Sequence, residues 1–198
     1  MKAKRRKNKF SKKDFIETVK NVINKSLSDF DYTRKPYLKE TKLDGDALMA
    51  FYGGGRRTVV AYDYDKFRKR IGNCDARLQY TFAVQCTAHE MRHYYQHRQI
   101  MAINPVEDKK TIDEWLENKV LKSRSKNKVD DYEYWFSARE LDANIYGHVF
   151  TLYHLKEVVL DNICNVDHFN VLKKYYKRLG GKNVKKYFSN KIKEIVKK

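Results

Sequence analysis

His89-Glu90-Met91-Arg92-His93 brings two imidazoles and a carboxylate into five residues. On an α-helix, residues four apart share one face, so both rings can reach a single ion while Glu90 projects beside them. That grouping suits metal-assisted hydrolysis. The imidazoles hold a divalent ion such as zinc, and the carboxylate takes a proton from water that the ion has acidified. Two histidines leave such a site incomplete, so another ligand has to come from elsewhere in the chain. His97 is too far away: it lies eight residues beyond His89, about 12 Å along a straight helix, and no Gly or Pro bends the path. His97 is expected to line a cleft or the surface.

The stretch Ser137-Ala138-Arg139-Glu140-Leu141-Asp142-Ala143-Asn144 offers two further carboxylates. Taken alone, Glu140 and Asp142 read as solvated charges on an amphipathic helix. They lie two residues apart, so a helix turns them to different faces and only one can join the histidines.

Together the two stretches resemble the gluzincin zinc metallopeptidases, in which HExxH is followed by ExxA[DN] on a later helix. The metzincin pattern is missing, because Gln96 and Gln99 stand three and six residues after His93. A SprT-like third histidine is missing too, since no His occurs between His97 and Glu140. The two motifs are similar to those of the ImmA/IrrE-like group. The resemblance spans Thr58 to His148 and implies Zn²⁺ held by His89, His93 and Glu140, with Asp142 as the fallback ligand. It gives the small Ala143 the task of letting two helices approach. Asn144, an amide where many relatives have Asp, would orient a ligand imidazole.

The same resemblance implies peptide-bond hydrolysis of a protein substrate. Glu90 would be the general base toward zinc-bound water, with His148, or failing it Tyr146, donating to the oxyanion. It further implies an α+β, zincin-like fold, predominantly helical, with a small, mostly antiparallel sheet packed on the HExxH helix. An edge strand, for which Thr58–Tyr62 is the candidate, would hold an extended peptide.

The 198 residues suffice for one domain with a real core, and the net charge of +18 is the strongest global feature. Basic residues gather at both ends, in Lys2–Lys7 and from Lys173 to Lys198, which points to non-specific contact with nucleic acid or to an acidic protein. The competing functional class is therefore a basic nucleic-acid-binding or virion-associated protein whose zinc site is vestigial or structural. Zinc in a structural role usually has four protein ligands, commonly Cys, so a His₂Glu set favours catalysis. Cys74, Cys86 and Cys164 form no CxxC pair, which suits free thiols and a cytoplasmic location. Cys86, one turn before His89, reads as a small buried hydrophobe. No apolar run is long enough for a membrane span, and nothing sets an oligomeric state.

The elements that must carry these residues follow from periodicity. Residues 1–12 read as a flexible basic arm, 13–165 as the peptidase-like domain and 166–198 as a basic helical extension. Asp14 is expected to cap a helix with the stripe Phe15, Val19, Val22 and Ile23. Short strands are expected at Tyr37-Leu38, Ala47–Tyr52 and Thr58–Tyr64, the last two turning at Gly53-Gly54-Gly55. One long helix is expected over Asp75–Ile100, with Leu78, Phe82 and Cys86 on its apolar face and Gln79 and Gln85 off it. A short helix follows over Ile112–Leu121, then a loop over Lys122–Lys128. A helix over Trp135–Leu160 carries the second motif, with Ile145, Val149, Leu152 and Leu155 facing the core, and basic helices over Val166–Leu179 and Val184–Val196 close the chain.

Overall fold

The structure, a computed structural model, describes residues 10–45, 47–54, 57–124 and 137–155. The basic segment Lys2–Lys7, most of the expected loop Lys122–Lys128, and everything expected beyond Leu155 lie outside the described residues. The architecture is α+β, with five helices and a three-stranded sheet among the described residues.

Helix α1 (Lys12–Asp29) buries Phe15, Val19, Val22 and Ile23, the stripe read from periodicity. Its start is a capping box rather than a cap by Asp14. Ser11 Oγ accepts from the Asp14 N–H, and the Asp14 carboxylate accepts from the Ser11 N–H at 2.8 Å. Phe10 packs against Phe67 and Tyr80. Residues 10–12 therefore belong to the folded body and not to a flexible arm.

Strands β1 (Tyr37–Glu40), β2 (Met49–Tyr52) and β3 (Val59–Tyr62) form a sheet in the order β1-β3-β2. The β2–β3 pair is the expected antiparallel hairpin, but β1 pairs with β3 in parallel, so the sheet is mixed rather than mostly antiparallel. The chain leaves β1 and enters β2 at the same end of β3, where the Thr41 N–H donates to the Tyr62 carbonyl and the Asp63 N–H to the Leu48 carbonyl, so β1 and β3 run parallel. One consequence concerns substrate binding. The candidate strand Thr58–Tyr62 is the paired centre of the sheet, and β1 and β2 are its edges.

The third strand stops earlier than its hydrophobicity suggested. Asp63 turns the chain by capping α2 (Tyr64–Ile71), its Oδ1 accepting from Lys66 N–H at 3.0 Å and its Oδ2 from Leu43 N–H at 3.2 Å. Phe67 and Ile71 then enter the core.

Helix α3 (Ala76–Ile100) begins at the Asp75 cap and runs through the HExxH motif. Phe82 is buried, while Leu78 and Cys86 are half-buried. Gln79 is buried against expectation, because its amide donates to the Cys74 carbonyl at 2.7 Å. Strand β2 lies beside α3, with Met49 Sδ accepting from the Thr87 hydroxyl at one end and Gly53 against His97 at the other. A Cβ at Gly53 would fall 2.8 Å from the His97 ring, so only glycine admits that ring.

Helix α4 (Lys109–Arg124) is longer than Ile112–Leu121, and α5 (Ala138–Leu155) carries the second motif with Ile145 and Val149 buried. The Leu152 side chain lies outside the described residues. Cys86 is a free thiol, but Cys74 is disulfide-bonded, against the expectation drawn from cysteine spacing. Sequence separation does not report distance in space. Among the described residues, no helix is long and apolar enough to cross a membrane.

Candidate metal centre

Helices α3 and α5 lie antiparallel. The Arg139 carbonyl and Asp142 contact Gln96, Glu140 meets His93 and His89, and Gly147 abuts Gln85 and His89. Close approach depends on two small residues a turn apart. Ala143 is fully buried, and a Cβ at Gly147 would sit 3.0 Å from the Gln85 carbonyl oxygen. Ser137 starts α5, its carbonyl accepting from the Leu141 N–H at 2.9 Å. That start places Glu140 in the first turn, facing α3.

There three ligand atoms converge. His89 Nε2 and His93 Nε2 are 3.1 Å apart, and Glu140 Oε2 lies 3.4 Å from the first and 3.3 Å from the second. A tetrahedral ion with bonds of about 2.0–2.1 Å separates its ligands by about 3.3 Å along each edge. The donor set fits such an ion in both chemistry and spacing. Among the described residues, His89, His93 and Glu140 are the group that could hold a metal.

The metal-free electrostatics are those of an ion pair. Burial would raise the Glu140 carboxyl, but the charge of His93 and the hydrogen bonds of His89 and His93 hold it well below the usual carboxylate range. Burial would likewise lower His89. The hydrogen bond it donates to Glu140, the charges of Glu90 and Glu140 and a hydrogen bond to Asn144 together raise it.

Behind the ligands stands a buried polar network. Gln96, fully buried, accepts from His93 Nδ1 at 2.8 Å through its Oε1. Its amide nitrogen donates to the Arg139 carbonyl at 2.9 Å and to Asp142 Oδ2 at 2.8 Å. Those two acceptors fix which end of the amide faces His93. Nδ1 therefore keeps its proton, and Nε2 is the nitrogen that would give up its own proton and present a lone pair to an ion. Asp142 is itself held by Arg92, from Nε at 2.8 Å and from a terminal nitrogen at 3.2 Å. Arg92 sits over the rings of Tyr95, Trp115 and Tyr146. Asp142 is thus engaged behind the cluster and does not join it. Asn144 stands on the other side, hydrogen-bonded to His89.

Glu90 is buried, with Oε1 4.0 Å from His89 Nε2 and outside the convergent group. Cys86, one turn before it, is also outside the group. Burial, and then the charge of Glu90, push its thiol up to about 12. It is a packing residue on the edge of the core. His97 packs on Phe51 with ring centroids 5.6 Å apart, at the β2 side of α3.

The two oxyanion candidates fare differently. His148 is half-buried on α5, beyond the Gly147 crossing, and is not among the convergent residues. Eight residues separate it from Glu140, about 12 Å of helix. Tyr146 is excluded. Its ring is buried against Phe30 and Phe150, and its hydroxyl reaches Asp29 at 3.3 Å.

Sequence reasoning missed Gln96, Arg92 and Gly147. The available signal was a Gln and an Arg within one turn of a ligand histidine, and a Gly four residues after Ala143 on the same face. No protein-family model, curated protein or solved structure matches this chain.

Proposed function

We propose that the protein is a zinc-dependent peptidase with a zincin-like site, in which His89, His93 and Glu140 hold the ion and Glu90 acts as general base. The observation that carries this reading is the convergence of two imidazoles and one carboxylate at tetrahedral-edge spacing, with a second carboxylate beside them. Among the described residues no fourth ligand joins the group, and an open position is the mark of catalytic rather than structural zinc. When bound, zinc supplies Lewis acidity toward a carbonyl oxygen and lowers the pKa of water.

The chain's own residues do the rest. Glu90 accepts the proton of the attacking water and returns it to the leaving amine. Gln96 and Asn144 keep the two imidazoles in register. The substrate strand assigned to Thr58–Tyr62 moves to β2, the edge beside α3, whose outer side pairs with no strand among the described residues and can take an extended peptide of a protein substrate.

The test is Glu90→Gln. The variant should keep its zinc and its melting temperature yet lose hydrolysis of a denatured-protein peptide mixture read by mass spectrometry. The loss is expected to be at least about 10²- to 10⁴-fold, the range for removal of a general base. Cleavage at the wild-type rate by that variant would overturn the mechanism. Wild-type protein that binds no zinc would overturn the site.

A further inference from the structure

The sheet has two unlike faces. Leu38, Val60, Phe51, Tyr62 and Met49 point inward to the core. Cross-strand partners share a face, so the register aligns Tyr37, Val59 and Tyr52 in one row on the other side, with Lys39, Ala61 and Ala50 in the next. Tyr37 and Tyr52 are each 52% exposed, although both are large aromatics on regular strands. Arg57, at the entry to β3, places its guanidinium 4.6 Å from the centre of the Tyr37 ring. Lys39 and Lys35 are exposed beside it. The residues that the three strands place on this face include no carboxylate: Glu40 points the other way and pairs with Lys12 at 2.6 Å.

The geometry points to this face as a stacking platform for single-stranded nucleic acid, with Tyr37 and Tyr52 each taking a base and Arg57 and Lys39 taking phosphates. The two rings stand two strand spacings apart, about 10 Å. Neighbouring bases in a duplex are stacked about 3.4 Å apart, so they cannot occupy both rings. A splayed single strand can. Every base has a π-face, which makes such a platform tolerant of sequence. The surrounding charge is complementary to a polyanion, in a chain whose net charge is +18. An acidic peptide would use the cations but leave both rings idle.

The experiment is fluorescence anisotropy of a labelled oligothymidine and of a duplex of equal length, titrated with full-length protein across a salt series. Both tyrosines are exposed, so their replacement leaves the core intact, and unchanged melting temperature verifies this for each variant. Tyr37→Ala and Tyr52→Ala should each weaken oligothymidine binding by about five-fold or more, with no change in the salt slope. The Phe versions should bind like wild type. Arg57→Ala should make the slope of log affinity against log salt shallower by about 0.7, one phosphate's share on a single strand. The duplex should bind more weakly and be indifferent to the tyrosines. Undetectable oligothymidine binding at low salt, or Ala variants that bind it as wild type does, would overturn the platform. So would polyglutamate binding more tightly than the oligonucleotide.

Discussion

Replacing Gln96 with Leu keeps the volume of a fully buried side chain and removes the amide that faces His93. Four hydrogen bonds vanish with it: from His93 Nδ1 at 2.8 Å, from Arg139 Nε at 3.3 Å, to the Arg139 carbonyl at 2.9 Å and to Asp142 at 2.8 Å. The first of these sets the imidazole tautomer. Without it, Nδ1–H faces an apolar chain and the proton moves freely between the two nitrogens. Losing such an outer partner weakens metal binding by about 10- to 100-fold, or about 1.4–2.7 kcal/mol. Asp142 keeps its two bonds from Arg92, so the helix pair stays assembled. The lost bonds to the Arg139 carbonyl and Asp142 cost about 0.5–1.5 kcal/mol each of fold stability. Competition with a chelator of known zinc affinity separates the two effects when the metal-free protein is melted in parallel. Gln96→Glu, which retains an acceptor toward His93, should recover most of the affinity despite losing the amide donor. Zinc affinity equal to wild type in Gln96→Leu, with only a lowered melting temperature, would refute the orienting role and leave Gln96 a packing residue.

Glu140→Ala should abolish stoichiometric zinc while Asp142→Ala keeps it, as measured by metal analysis after gel filtration; the reverse outcome would exchange ligand and support. Metal-free protein should be most stable between about pH 4.5 and 6.5 as far as this cluster is concerned. The depressed Glu140 contributes above the ordinary carboxylate value and is lost as pH falls through its lowered one, while the raised His89 contributes below about 6.5 and is lost as pH rises through its raised one. Thermal melts in chelator across pH check this, and zinc uptake should run the opposite way at the alkaline end, since the ion needs neutral imidazoles. Gly147→Val should force α5 off the Gln85 carbonyl and His89, lowering zinc affinity and melting temperature together, because a Cβ alone already sits 3.0 Å from that oxygen.

The local signals in this sequence were readable and the non-local ones were not. HExxH, the small Ala143 and the amide of Asn144 declare themselves because a helix converts spacing into a shared face. The stripe on α1 did the same for the core. Asp63 was read as the interior of a strand, because nothing in Val59–Tyr62 says where pairing ends; the cap it forms also depends on Leu43, twenty residues earlier. The parallel β1–β3 pair was hidden for the same reason, since its register joins residues 22 apart. Asp142 looked like a solvated charge. It is partly buried because Arg92, fifty residues away, and Gln96 both hold it. Tyr146 looked like a donor to the site, yet its orientation is set by Asp29, on a helix at the far end of the chain.

The ligand set is divided in time as well as in space. Glu140 lies 47 residues after His93. At a synthesis rate of about 5–20 residues per second, it is translated roughly 2–9 s later. For those seconds the nascent chain presents two imidazoles on one helix with no carboxylate to close the triad. Such a half-site follows the intrinsic order of affinities, in which copper outcompetes zinc. If the triad holds zinc as proposed, discrimination between metals would wait until α5 docks at Gly147, and any ion captured earlier would be exchanged then. The docking of one helix would then also be the moment at which the metal is chosen.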